Sequence, residues 1–133
     1  MTCSASDVLK QGTGYCYAKS HLLAALLRAN GTPAGICYQR LTIRDDKPPF
    51  SLHGLNAVWL EGIGWYRIDA RGNKASVDAQ FCPPVQQLAF QIITEGEADL
   101  ATIYAGPLPE VVNLLTGSST WQQVADNLPD ISI

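Results

Sequence analysis

Histidine is scarce in this chain, and its cysteines stand far apart. Only two histidines occur, and the four cysteines, at positions 3, 16, 37 and 82, never form the close Cys-x-x-Cys pairs of a zinc site. We therefore expect neither a metal ion nor another cofactor. A framework of disulfides is also not expected in a chain of this size that stays inside the cell.

Charged residues are few as well. They make up 16% of the sequence, the formal net charge is −3, and Lys and Arg form no cluster, so a nucleic-acid partner is not expected. The longest apolar helical run contains His21 and Arg28 and is too short to cross a bilayer. Residues 1–15 lack the apolar core of an export signal. These absences predict a cytoplasmic protein that does not act at a membrane, and they leave its oligomeric state open.

Hydrophobic residues, by contrast, are plentiful. They make up 47% of the 133 residues, which is enough for a buried core without covalent cross-links. No internal repeat or low-complexity segment is visible. The length predicts a single domain over 1–133, with a core at about 8–95 and a helical tail at about 105–130.

The strongest secondary-structure signal is a helix over 15–30. Leucines recur within it at helical spacing, with alanines between them, at Leu22, Leu23, Leu26 and Leu27. Asn30-Gly31, with Pro33 close behind, is a helix stop signal. Because the helix is apolar around most of its circumference, we expect it to be buried and packed on more than one side.

The segments after this helix are typical of strands. Apolar residues predict strands over 34–43, 53–60 and 65–69, with a loop over 45–49 and a turn over 61–64. A further strand is predicted over 88–94, at a sheet edge because Pro83-Pro84 comes just before it. Short helices are predicted over 108–115 and 120–127. The expected fold class is α+β: a buried N-terminal helix on an antiparallel sheet, followed by a short helical tail.

Cys16 combines a reactive side chain with a helix start. It follows Gly12-Thr13-Gly14-Tyr15 and opens the apolar helix. A free thiol titrates at about pH 8.5 and is only a few per cent thiolate at neutral pH. The amides of a helix N-terminus favour the thiolate, and a nearby imidazolium favours it more. A nucleophilic role for Cys16 therefore requires a histidine.

His53 is the histidine that suits this requirement. His21 lies about 140° around the helix from Cys16 and cannot easily reach the sulfur, so we interpret it as a core or capping histidine. His53 begins a predicted strand, and a base needs a third group to fix its tautomer. Asp69, at the end of the next predicted strand, fits that role.

A geometric condition links His53 to Asp69. The two side chains lie directly opposite each other only if the hairpin is centred on Glu61. A two-residue Glu61-Gly62 turn would put them on opposite faces of the sheet. We therefore predict a loop of three or five residues centred on Glu61, or a bulge.

Donors for an oxyanion are less clearly marked. The backbone N–H of Cys16 at the helix start is one natural donor. Gln11 offers a side-chain amide, although a lone glutamine in a loop is more often solvated. Tyr15 and Tyr17 flank the cysteine and are candidates for substrate contact by position alone.

Three segments resemble the transglutaminase-like superfamily. They follow one another in that family's order: residues 14–20 with 26–34, residues 53–59, and residues 64–69. The first resembles the family's nucleophile helix, His53-Gly54-Leu55-Asn56-Ala57-Val58-Trp59 its histidine strand, and Gly64-Trp65-Tyr66-Arg67-Ile68-Asp69 its aspartate strand. The resemblance covers roughly 8–72, about half of the chain.

This resemblance implies a Cys-His-Asp triad on a papain-like scaffold. Cys16 would be the nucleophile, His53 the general base and then acid, and Asp69 the residue that orients the histidine. Members attack carboxamide or peptide carbonyls, form a thioester and pass the acyl group to water or to an amine, without a metal in the triad. This chain departs from the pattern at Ala70-Arg71, where the family usually has proline, and at Leu55, where an aromatic residue is common.

Each of the three residues also has a plain interpretation. Cys16 alone is more often a small buried side chain, His53 a surface histidine, and Asp69 a turn residue. Their joint occurrence favours a cysteine peptidase or amidase acting on peptide or protein amides. The alternatives are a protein-glutamine amine transferase and a catalytically silent binding module of the same fold.

Overall fold

An antiparallel sheet and the helix that starts at Cys16 form the centre of the fold. The structure is a computed structural model and describes residues 1–44 and 46–131. Its helices are α1 (Ala5–Gln11), α2 (Cys16–Ala29), α3 (Pro109–Gly117) and α4 (Trp121–Asp126). Its strands are β1 (Ala34–Thr42), β2 (Phe50–Leu60), β3 (Gly64–Ile68), β4 (Gln80–Cys82), β5 (Val85–Gln87) and β6 (Ala98–Asp99). The α+β fold class expected from the sequence is confirmed.

The main sheet has the order β3-β2-β1-β6, and all its pairings are antiparallel. Strands β4 and β5 form a separate small hairpin. In the β1–β2 register Gln39 lies opposite His53, so their side chains share a face of the sheet. The predicted loop over 45–49 begins at Asp45, which lies outside the described residues.

Helix α2 forms where it was predicted, packs closely on β2 and is buried mainly in its first half. Tyr17, Ala18 and Ser20 are fully buried. The approach is closest at Gly54, where an added Cβ would lie 2.9 Å from the Tyr17 ring and 3.2 Å from the Tyr17 Cα atom. The residue beside His53 must therefore be glycine for the start of α2 to come this near to the histidine strand.

The C-terminal helices complete the core on α2. The predicted helices over 108–115 and 120–127 correspond to α3 and α4. Val111, Leu115 and Val124 are fully buried in one cluster with Tyr17 and with apolar residues of the sheet. The last described turn also reaches the sheet, since the backbone N–H of Leu52 donates to the carbonyl of Pro129 over 2.8 Å. No helix among the described residues has the length and hydrophobicity needed to cross a membrane.

Two sequence predictions about the strands are wrong. Residues 88–94 form no strand, and short strands lie on either side of that segment instead. The β2–β3 hairpin pairs Leu60 with Gly64, so its three-residue loop is centred on Gly62 rather than Glu61. When the centre of the hairpin shifts by one residue, the residue opposite each position changes by two, so side chains that shared a face of the sheet still share it. His53 and Asp69 therefore share a face as diagonal neighbours.

Candidate active site

An open cleft brings the thiol of Cys16 and the ring of His53 to one surface. The cavity measures about 1730 Å³, and both residues line it. Cys16 is the first residue of α2 and is partly exposed, whereas His53 is buried. Tyr15, which precedes the cysteine, also lines the cleft.

His53 and Asp69 form a buried hydrogen-bonded pair. The Nε2 atom of His53 lies 2.7 Å from Oδ2 of Asp69, and the two side chains are 8% and 0% exposed. The carboxylate also accepts the backbone N–H of Arg71 at 3.0 Å and that of Ala89 at 3.3 Å. Asp69 is thus fixed from three sides. Because it occupies Nε2, the ring nitrogen left for the thiol is Nδ1.

The electrostatics of this pair favour the charged imidazole. Burial by itself lowers the pKa of His53, but the hydrogen bond to Asp69 and the hydrogen bond and charge of Cys16 prevail and raise this pKa to about 9. Burial likewise acts to raise the pKa of Asp69, yet the hydrogen bond and charge of His53 and the two backbone amides lower it. Both shifts therefore favour a charged imidazole beside a charged carboxylate.

The start of α2 leaves hydrogen-bond donors available next to the sulfur. Tyr15 is the N-cap residue and makes no side-chain capping hydrogen bond, and no acidic residue lies in the first turn. The first amides of a helix have no partner within the helix. The backbone N–H of Cys16 is therefore free to stabilise negative charge on a bound carbonyl oxygen.

The remaining residues proposed from the sequence lie in different places. Tyr15 stacks on Tyr17 with 6.3 Å between ring centroids and lies 6.0 Å from the ring of Trp121. Tyr17 is fully buried, and its hydroxyl donates to the carbonyl of Leu52. Gln11 is exposed at the end of α1 and is not among the residues that line the cleft. Of these three, only Tyr15 presents a surface of the kind a substrate contacts.

His21 is not part of this site. It is buried in α2, and its Nδ1 atom lies 2.8 Å from the carbonyl oxygen of Cys3. Burial lowers the pKa of His21, which the hydrogen bond to Cys3 only partly opposes. The expectation of a core histidine is confirmed. Within the described residues no group of three His, Cys, Asp or Glu side chains is arranged to hold a metal ion.

The comparison with protein families identifies the fold. The model of the transglutaminase-like superfamily matches residues 2–70, which is slightly more than half of the chain. The chain belongs to the transglutaminase-like superfamily. The transglutaminase-like match contains Cys16, His53 and Asp69 and ends one residue after the aspartate. Neither the curated proteins nor the solved structures gave a match.

Two residues at the site escaped the sequence analysis. The ring of Phe90 meets the ring of His53 edge to face, with 5.0 Å between centroids. Gln39 is 1% exposed, and its Nε2 atom donates to the carbonyl of Phe90 at 3.2 Å and to Asp99 at 2.7 Å. Gln39 thereby holds the segment that covers the histidine. Its position directly after the apolar residues Ile36-Cys37-Tyr38 was the available signal, because a buried amide needs hydrogen-bond partners.

Proposed function

We propose that this protein is a thiol acyl-transfer enzyme, and specifically a cysteine peptidase or amidase. Cys16 is the nucleophile, His53 is the general base and then acid, and Asp69 holds the imidazole in place. The observation that carries this proposal is the buried hydrogen bond between His53 and Asp69, at a cleft that the thiol of Cys16 also lines. Membership of the transglutaminase-like superfamily supports it.

The first half of the reaction forms a thioester. Nδ1 of His53 first takes the thiol proton, and the sulfur of Cys16 then attacks the carbonyl carbon of the bound amide. The oxygen becomes an oxyanion, which the backbone N–H of Cys16 stabilises. When the carbon–nitrogen bond breaks, His53 returns the proton to the leaving amine, and the acyl group remains on the sulfur.

The second half releases the acyl group to water. His53 takes a proton from a water molecule, whose oxygen attacks the thioester carbon. The carbon–sulfur bond then breaks, the proton returns to the sulfur of Cys16, and a carboxylic acid leaves. Asp69 stabilises the imidazolium in both halves because it accepts a hydrogen bond from Nε2. An amine that replaced the water would give transamidation by the same steps.

Thiol alkylation as a function of pH tests the proposal directly. We expect iodoacetamide to modify Cys16 faster than the other three cysteines at every pH tested, because His53 takes the thiol proton. The His53→Ala variant should lose this advantage. Peptide mapping by mass spectrometry assigns the rates to individual cysteines.

Cys37 and Cys82 are internal controls of opposite exposure. Cys37 is buried, and burial raises its pKa to about 11, whereas Cys82 is exposed. If Cys16 reacts no faster than Cys82 at any pH, the protein is better described as a silent module of the same fold. A separate experiment uses a panel of amide-based electrophilic probes, with Cys16→Ser as control. It tests whether the sulfur of Cys16 reacts with an amide-like group bound in the cleft.

A further inference from the structure

The carboxylates on the wall of the cleft already have partners. Asp99 forms an ion pair with Arg67 at 2.8 Å, and Glu97 accepts the backbone N–H groups of Thr42, Ile93 and Thr94. The other two carboxylates of the lining, Asp46 and Asp78, accept hydrogen bonds from Thr94 and from Gln80 and Gln87, respectively. The oxygens of these carboxylates are therefore engaged by hydrogen bonds, and among the described residues only Asp99 of the four is paired with a cation.

Three positively charged side chains of the same lining have no ion-pair partner in the described part of the chain. Lys19, Arg71 and Lys74 line the cleft, and none of them forms an ion pair with a carboxylate among residues 1–44 and 46–131. The lining as a whole is balanced, with four Lys and Arg side chains and four carboxylates among the described residues. A bound anion is therefore favoured only close to a cation that no carboxylate neutralises.

Arg71 differs from the two lysines because its guanidinium is held in place. The guanidinium carbon lies 5.3 Å from the ring centroid of Phe90, whose ring lies edge to face against His53. The backbone N–H of Arg71 donates to Asp69, and Nη1 of its guanidinium donates to the carbonyl of Gly72 at 3.0 Å. The other N–H groups of the guanidinium have no hydrogen-bond partner among the described residues. This preorganised fork suits a carboxylate.

We propose that Arg71 binds a carboxylate of the substrate, within three residues of the bond that is cleaved. The proposal rests on the proposed function and specifies the substrate class of the same cleft: peptides or amides with an acidic side chain or a free terminal carboxylate. The two contacts of Phe90 limit the reach. The guanidinium carbon of Arg71 lies 5.3 Å and the imidazole centroid of His53 lies 5.0 Å from the Phe90 centroid, so the two groups are at most about 10 Å apart. One extended residue spans about 3.3–3.6 Å, so up to three residues cover this separation.

Matched alkylating reagents test this proposal without a known substrate. Iodoacetyl-glycine and its carboxamide differ only in a terminal carboxylate, and iodoacetyl-aspartic acid α-amide and its asparagine counterpart differ only in a side-chain carboxylate. For each pair we measure the ratio of the acid to the amide rate at Cys16. We expect the Arg71→Gln variant to lower the ratio of at least one pair about tenfold, the effect of losing one charge-assisted hydrogen bond. The pair that responds identifies the source of the carboxylate.

Lys74→Gln and Arg71→Lys are the matched controls. Lys74→Gln removes one cation from the same lining and should leave both ratios within about twofold, since a flexible surface charge is screened by solvent and salt. Arg71→Lys keeps the charge and should retain part of the preference even if the packing on Phe90 changes. Thermal unfolding shows whether each variant is folded.

The possible outcomes are distinct. Unchanged ratios in Arg71→Gln, or an equal fall in Lys74→Gln, overturn the proposal. Because the ratio compares two reagents on the same sulfur, it remains measurable even if Cys16 reacts slowly. Failure of the proposed function would instead be seen in the absolute iodoacetamide rate of the native protein and its insensitivity to His53→Ala.

Discussion

At the scale of single residues, Asp69 is the group on which the histidine depends. Its carboxylate holds Nε2 of His53 and is itself held by the backbone amides of Arg71 and Ala89. This arrangement fixes both the orientation of the ring and the nitrogen that remains for the thiol. The backbone contacts come from segments on either side of the β4–β5 hairpin, so the aspartate also anchors the loops around the cleft.

The His53–Asp69 pair makes the stability of the folded protein depend on pH, because His53 titrates. The pKa of His53 is raised to about 9, so the folded state holds this proton more tightly than the unfolded chain, where the value is about 6.5. The stabilisation is therefore complete below about pH 6.5 and is lost as the pH rises through about 9. We expect the cost of Asp69→Asn to be roughly 2 kcal/mol larger at about pH 6 than at about pH 9.5, measured by urea unfolding. A cost independent of pH would contradict this assignment.

The three main residues of the site were accessible to sequence reasoning, but their surroundings were not. Cys16, His53 and Asp69 stand in recognisable contexts of helix start, strand and strand end. Phe90 and Gln39 act through a contact that crosses 51 positions of the chain. Neither residue carries a local pattern that indicates its partner, so only the folded arrangement reveals them.

At the scale of elements, the contact between α2 and β2 sets the position of the sulfur. Gly54→Ala places a methyl group against the ring and the backbone of Tyr17, one residue after Cys16. We expect it to cost about 1–3 kcal/mol of unfolding free energy, because the helix must move away from the strand. The alkylation rate of Cys16 should fall as well.

Gly106→Ala is the matched control, since nothing lies within 4 Å of its added Cβ. It should leave both the midpoint of thermal unfolding and the thiol rate close to those of the native protein. An equal loss in the two variants would mean that the close approach at Gly54 does not position the thiol of Cys16.

The errors of the sequence predictions at this scale have two physical causes. Helix α1 has seven residues and buries only Val8 among them, which is too little for a helical period to be visible. Residues 88–94 have the composition of a strand, but this segment is held by side chains, with Gln39 on the carbonyl of Phe90 and Asp69 on the amide of Ala89. Composition reports a preference for extended backbone, not the partner that satisfies it.

At the scale of the whole molecule, the core extends beyond the part that matches the family. The family match ends at residue 70, yet Val111, Leu115 and Val124 are fully buried in the cluster that contains Tyr17. We therefore expect a fragment of residues 2–70 to be unfolded by circular dichroism and amide exchange. In the full chain, Leu115→Ala should cost about 2–5 kcal/mol by creating a cavity.

Comparing a buried with an exposed residue of the C-terminal helices shows whether the loss of stability depends on burial. Trp121→Ala removes a larger side chain that is 62% exposed, so it should cost far less stability than Leu115→Ala. A folded 2–70 fragment, or equal costs for the two substitutions, would mean that α3 and α4 are accessory. That the chain forms a single domain over 1–133 stays a prediction.

The hydrogen bond from Leu52 to Pro129 has a consequence for biosynthesis. Leu52, the residue before His53, forms a backbone hydrogen bond with Pro129. The ribosome adds Pro129 77 residues after Leu52. During translation Cys16 therefore leaves the ribosome long before the strand that carries His53 can form its hydrogen bond to Pro129. On the proposed function, we expect Cys16 to become reactive only after residue 129 has docked on β2.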